Sequence, residues 1–263
     1  DQKGGVHVTF ADRIVRVDAG FRSVREVAIP PRARADEIIH GILVGDDAAA
    51  LLTEAALWIL TDRGWSPIHH PTRDPFDYRN RIAVDGEGLI WVPHRRGCLK
   101  VERTDLVRWT QRDGLQTNSL RAVVIGPDGA AVVITSKGLA SRASGASEFS
   151  PPPANDPGRA SDFEALSVAG DGRVFAVARD RLAFVESGRA RILDWSTRFG
   201  ARLTDVETTT DGAVWVSARN GVHRVDDAGS RDHWTVDDGL PHEACFSLAP
   251  AADDGVWVAT FGG

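Results

Sequence analysis

Thr-Asp-Gly-Ala-Val-Trp-Val-Ser (210–217), Arg-Asn-Gly-Val-His-Arg-Val-Asp (219–226), His-Trp-Thr-Val-Asp-Asp-Gly-Leu-Pro (233–241) and Asp-Asp-Gly-Val-Trp-Val-Ala (253–259) follow one another along the stretch from Thr210 to Gly263. Each piece reads as a short strand closed by a turn. Asp-Gly marks a tight turn, because glycine reaches positive φ without steric cost. Val-Trp-Val is a β-branched and aromatic run that suits a pleated, buried surface. The last piece restarts the first, so the unit repeats.

The same unit recurs upstream. Turn glycines fall at Gly88, Gly129, Gly172, Gly212 and Gly255, in steps of 41, 43, 40 and 43 residues, a period in the propeller range. An apolar run follows each glycine: Leu89–Val92, Ala131–Ile134, Val174–Val177, Val214–Val216 and Val256–Val258. A second apolar marker follows at Leu99, Leu139, Leu182 and Val222. Asp46-Asp47 takes the turn position of an earlier unit, with Leu51-Leu52 and Leu57-Trp58 as its strands, and Val6–Phe10 and Arg13–Val17 come before it. A repeat of about 41 residues carrying four short strands, here lettered A to D, is one propeller blade. The fold expected is all-β, a β-propeller of six to seven four-stranded antiparallel blades. Strand A lies at segments such as Leu120–Gly126 and Leu203–Thr209, B is the Trp/Phe run, and D ends near Trp109, Trp195 or Trp234. Both faces of B and C must be apolar, since blades stack face to face. Trp91, Trp215 and Trp257 are expected to be buried at equivalent positions.

The phase breaks once. Gly255 precedes Trp257 by two residues, whereas Gly212 precedes Trp215 by three, and the chain contains no methionine. The break is expected to mark a residue missing from the turn.

Asp-Gly-x-Val-Trp-Val, then Asn-Gly-Val-x-Arg-Val-Asp, then Trp-Thr-Val-Asp-Asp-Gly-Leu-Pro resembles the two-component regulator propeller repeat. Trp109–Leu115 matches the same motif earlier in the chain, and Arg13–Phe21 is similar to a C strand of that repeat. The likeness is specific around 105–137 and 211–260 and degenerate around 20–75 and 140–165. It implies the sensor region of a bacterial histidine kinase or diguanylate cyclase, on the periplasmic or extracellular side of the membrane. It also allows a homodimer through the sensor.

The length of 263 residues, 42% apolar and 26% charged, is that of a globular protein. Continuous repeats argue for one domain over 1–263, or an excerpt of a longer array. No apolar run approaches the length of a membrane helix, so no membrane contact by this region is expected. The net charge of −6 argues against a nucleic-acid partner, whose footprint is basic. Cys98 and Cys245 lie on strands of different blades; a disulfide needs Cα atoms within about 7 Å, and buried free thiols are expected. The chain starts and stops at a B strand, so either the last A strand closes the ring onto the first blade or the array continues.

In a four-stranded blade the D-to-A and B-to-C connections share one face, and the tight A-to-B and C-to-D turns share the other. The long connections 69–77, 112–118, 151–161, 197–201 and 237–242 therefore gather on one face, where binding usually lives. Counting about eleven positions back from each turn glycine places Asp36, Asp77, Asn118, Asp162, Arg202, His242 and Glu243 near the channel mouth. The ligand-binding candidates are Arg79, His94, Arg95, Asn118, Arg202, Arg219, Asn220 and His242, as hydrogen-bonding groups for a small polar ligand such as a saccharide. A histidine there would make binding pH-sensitive. No Gly-rich phosphate loop, Gly-x-Ser-x-Gly or His-Glu-x-x-His occurs, and His69-His70 lacks partners at zinc spacing. The expected activity is noncatalytic ligand sensing, with no cofactor and no metal. The alternatives are a metal-dependent propeller lyase or lactonase-like enzyme using the mouth carboxylates, and a protein-interaction scaffold.

Overall fold

A computed structural model describes residues 6–9, 13–18, 22–29, 39–44, 49–53, 56–61, 64–69, 82–102, 105–193, 199–226, 231–251 and 253–263. Arg79, Asp36, Asp77, Trp195, the Asp46-Asp47 turn and most of the 69–77 connection lie outside them. Among the described residues there is no α-helix, and only short 3-10 turns interrupt the strands.

Among the described residues, seven antiparallel sheets follow one another in chain order. The first holds β1 (Val6–Thr9), β2 (Ile14–Val17) and β3 (Val24–Glu26). The second holds β4 (Ile39–Val44), β5 (Ala49–Thr53), β6 (Ala56–Thr61) and β7 (Gly64–His69). The third holds β8 (Ala83–Val84), β9 (Ile90–His94), β10 (Gly97–Glu102) and β11 (Asp105–Trp109). The fourth holds β12 (Leu120–Ile125), β13 (Ala131–Thr135) and β14 (Gly138–Arg142). The fifth holds β15 (Phe163–Val168), β16 (Val174–Ala178), β17 (Leu182–Glu186) and β18 (Arg189–Ile192). The sixth holds β19 (Leu203–Thr208), β20 (Val214–Ala218), β21 (Gly221–Val225) and β22 (Arg231–Trp234). The last pairs β23 (Cys245–Pro250) with β24 (Val256–Thr260). Every pairing is a sequential meander. Among the described residues the β23–β24 pair and the β1–β3 sheet are separate in their hydrogen bonding.

Six apolar clusters fill the spaces between successive sheets. Ile14 meets Leu51 and Trp58; Leu52 and Leu57 meet Ile90 and Val92; Trp91 and Trp109 meet Val123 and Val133. Ile134 meets Phe163 and Ala176, Val177 meets Leu203 and Val216, and Trp215 meets Leu248. The B strands β9, β13, β16 and β20 are buried at every position. That is why they carry no polar alternation: a sheet covered on both faces reads as a continuous apolar run.

The Asp-Gly turns join A to B strands. Gly88, Gly129, Gly172 and Gly212 hold φ of 78°, 79°, 88° and 84°, the left-handed region that a Cβ disfavours. The preceding carboxylate closes the turn from its side chain: Asp128, Asp171 and Asp211 accept from the N–H two residues on, at 3.0, 3.0 and 3.1 Å. In the last sheet Asp254, not Gly255, takes the left-handed position, with φ 61°. Asp254 stands three residues before Trp257, as Gly212 does before Trp215. The turn is full length, so the break in phase marks an aspartate in a glycine's place rather than a lost residue. Aspartate tolerates this conformation better than most side chains do.

Trp91 and Trp215 are buried, as expected, but Trp257 is only half-buried. Its sheet packs on the sixth through β19 and β20. Cys98 and Cys245 are buried free thiols.

Candidate functional site

The fourth sheet has no fourth strand. After β14 the chain bridges once, Ser141 to Ser150, and then runs through Pro151–Pro153 into a 3-10 turn at 157–159. Asp156 pins this segment by accepting from Gly158 N at 2.8 Å and from Ala190 N of β18 at 3.0 Å. Where a strand is missing, a cleft of about 650 Å³ opens between the fourth and fifth sheets, lined by Ser141, Arg142, Ser144, Glu148, Arg173 and Glu186, among others. It lies on the side of the tight turns, so that side carries more than turns.

The opposite side is tied together by its backbone. Gly97 N donates to Asn118 O, Leu203 N to Arg179 O, and Arg219 N to Arg202 O, at 2.8, 2.8 and 3.0 Å. Each bond links a B-to-C turn to the connection leading into an A strand. Two of those connections share one shape. Thr110 and Thr235 cap 3-10 turns with reciprocal bonds to Asp113 and Asp238, and Gly114 and Gly239 follow in the left-handed region. The Trp-Thr-x-x-Asp-Gly-Leu signature is thus a corner-forming device. Its tryptophan stacks on the B-strand tryptophan of the same sheet: Trp109 on Trp91 at 5.0 Å, Trp234 on Trp215 at 5.2 Å.

At this mouth a residue repeats that the sequence reading missed. The A-to-B ladder slips by one at Ile39/Gly41, Leu120/Ala122, Phe163/Ala165, Leu203/Asp205 and Cys245/Ser247. The bulged residues are His40, Arg121, Glu164, Thr204 and Phe246. A bulge bends the strand and re-aims its side chain. Arg121, Glu164, Thr204 and Phe246 are all half-buried beside buried neighbours. Each of these four stands eight residues before the left-handed turn residue of its blade (Gly129, Gly172, Gly212, Asp254). That fixed offset, with a residue other than a small aliphatic breaking the apolar start of strand A, is the signal that could have found them.

These positions are joined in an arc. Arg121 Nη1 donates to Phe163 O at 3.5 Å. Arg202 Nη2 reaches back to Glu164 Oε1 at 2.8 Å, and Thr204 Oγ1 donates to Cys245 O at 2.8 Å. The Arg219 guanidinium lies 5.3 Å from the Phe246 ring centre. Phe246 meets Phe261 edge-to-face at 4.4 Å, and Phe261 meets His242 at 5.7 Å. Arg179, Arg202, Arg219 and His242 are exposed, and Phe261 is 68% exposed.

The other candidates are distributed as follows. Asn118 Oδ1 accepts from Gln111 N at 2.7 Å, spending its acceptor on the corner. His94 is wholly buried, its Nδ1 accepting from Arg96 N at 3.1 Å, so it faces the protein rather than the mouth. Arg95 is exposed on the β9–β10 turn. Asn220 donates to Phe199 O at 2.9 Å, and its carbonyl meets His233 Nε2 at 2.8 Å, beside the stacked His223–His233 pair at 4.0 Å. His242 Nδ1 accepts from Ala244 N at 2.9 Å, as Thr117 Oγ1 accepts from Ser119 N in the other corner. Asp162 is paired with Arg181 at 2.6 Å. Among the described residues no group of three or more His, Cys, Asp or Glu side chains is placed to hold a metal ion.

No family model and no curated protein matches the chain in sequence. Solved structures match it in fold. The extracellular domain of BT4673 from B. thetaiotaomicron, described as a hybrid two component system, superposes with TM-score 0.76 and 15% identity, covering 100% of this chain and 36% of that one. Streptogramin B lyase superposes with TM-score 0.76 and 16% identity, covering 99% and 88%. YCF48 from Cyanidioschyzon merolae superposes with TM-score 0.71 and 14% identity, covering 100% and 91%. The chain thus spans about a third of the extracellular domain it matches. At these identities the likeness establishes the fold, a propeller-like succession of antiparallel sheets.

Proposed function

We propose that the chain is a noncatalytic ligand-sensing propeller, part of the periplasmic or extracellular region of a bacterial signalling receptor. In this reading the seven sheets are successive blades of one six- to seven-bladed array with a repeat of about 41 residues, and the ligand sits at the mouth where the long connections meet. The observation that carries it is the arc at that mouth. Arg202, Arg219 and the bulged Arg121, Glu164 and Phe246 present donors, an acceptor and an aromatic face from successive blades. The turns at 109–115 and 233–241, which carry the resemblance to sensor repeats, lead into the A strands that bear Arg121 and Phe246. The fold match to a sensor's extracellular domain supports the same assignment. Arg79, His94, Arg95, Asn118, Asn220 and His242 belong to the expected set as well, and homodimerisation would proceed through this region of the receptor.

A second reading rests on extent. The chain is nearly coextensive with streptogramin B lyase, so a lyase-like enzyme is the competing assignment. A thermal-shift screen of neutral saccharides and small organic acids, followed by Arg202→Ala and His242→Ala, separates them. Sensing predicts stabilisation without turnover, weakened in at least one variant by about 0.5–1.5 kcal/mol for a neutral hydrogen bond. Binding that neither variant changes, or that maps to the turn-side cleft, rejects the mouth. Turnover of a bound compound moves the assignment to the enzyme.

A further inference from the structure

The mouth is mixed in charge: Asp162 and Asp180 are paired with Arg181 and Glu164 with Arg202, while Glu243 is exposed. The chain carries a net −6, yet Arg121, Arg179, Arg202 and Arg219 stand on one lip. Backbone bonds from Leu203 N to Arg179 O and from Arg219 N to Arg202 O hold three of them together. Arg121 reaches the same lip through Phe163 O, next to Glu164. Only Arg202 has a carboxylate, Glu164, in its grasp. Arg219 has an aromatic ring beneath it instead, and neither Arg121 nor Arg179 forms an ion pair with a described residue. Guanidinium forks match a carboxylate in geometry.

The aromatic corner adds the second half. Phe246 and Phe261 form an edge-to-face pair beside Arg219, with Phe261 exposed and His242 against it. An exposed aromatic face next to a cation accommodates a flat apolar ring face on one side and an acidic substituent on the other.

We infer that the mouth binds an acidic saccharide, its carboxylate taken by Arg219 and its ring stacked on the exposed Phe261, which Phe246 holds edge-to-face. This rests on the ligand-sensing reading and specifies its ligand class. The test uses isothermal titration of the chain with trigalacturonate, with galactotriose as the neutral counterpart and with sodium sulfate. Trigalacturonate should bind, more weakly as salt rises, and Arg219→Gln should weaken it about tenfold or more, the loss of a charge-assisted contact. Phe246→Ala should weaken it too, and Arg189→Gln on the outer strand β18 should leave it unchanged. Galactotriose binding as tightly, insensitive to Arg219→Gln, overturns the acidic class while leaving ligand sensing intact. Sulfate competing as effectively as the trimer, with Phe246→Ala silent, overturns the stacked ring. If neither trimer nor sulfate binds, the inference falls. If the wider screen of neutral saccharides and organic acids is also empty, the sensing reading falls with it.

Discussion

Asp85 illustrates how one side chain can organise a blade. Its carboxylate accepts from Trp91 Nε1 at 2.9 Å and from the backbone of Glu87 and Leu89, with Lys100 at 3.5 Å. Burial pushes this carboxyl up, but the Trp91, Leu89 and Glu87 donors and the Lys100 charge outweigh it and hold it below the ordinary carboxylate range. A depressed pKa stabilises the fold above the unfolded value, and that stability is lost as pH falls through the folded one. Asp85→Asn should therefore cost about 1–3 kcal/mol near neutrality and flatten the acid limb of a chemical-denaturation series. Cys98 works in the opposite direction: burial pushes its thiol from 9.0 up to about 12, against a small opposing pull from Arg142. The unfolded chain then loses a proton that the folded chain keeps, so stability should fall between those values by about 1.4 kcal/mol per pH unit. Cys98→Ala should remove that slope, although the cavity it leaves lowers stability at every pH.

At the level of elements, the two corner turns make a controlled comparison. Gly114 and Gly239 both sit in the left-handed region, at φ 89° and 103°. A Cβ on Gly239 would meet nothing, while one on Gly114 would land on the Phe149 carbonyl oxygen. Gly239→Ala should cost about 1 kcal/mol of backbone strain, and Gly114→Ala clearly more, measured by urea denaturation. The tryptophans divide similarly. Trp91→Ala should cost about 3–5 kcal/mol, and Trp257→Ala less, because Trp257 is already half-exposed. Strands and turns were legible in the sequence because Asp-Gly and Val-Trp-Val report local geometry. The mouth was less so. Counting back to the strand start reached Asn118 and Arg202 on the connections, but a bulge adds a residue that periodicity does not register, so Arg121, Glu164 and Phe246 went unseen. The cleft beside Arg142 was also hidden, since it comes from a strand that the segment 143–150 fails to form.

Across the whole molecule, successive sheets are joined by polar bonds as well as by apolar clusters. The wholly buried Asp205 carries Oδ2 across to Leu248 N at 2.9 Å. Ser167 meets Thr208 at 3.1 Å, and Thr210 bonds Asp254. Asp205→Ala would strand a buried N–H and should loosen the β23–β24 pair first. Hydrogen exchange should then rise in 245–260 before it rises in the fifth sheet; uniform loss across all sheets would mean that the array unfolds as one body. The bulges bear on what such an array can become. A strand's alternation normally ties every outward residue to an inward one, so altering one disturbs the other. The extra residue at the head of each of the five bulged A strands is released from that parity. Its identity can change, as arginine, glutamate, threonine and phenylalanine already do from blade to blade, without rewriting the strand behind it. Each of the five bulged sheets thus carries one independently editable letter, which can change while the scaffold remains the same.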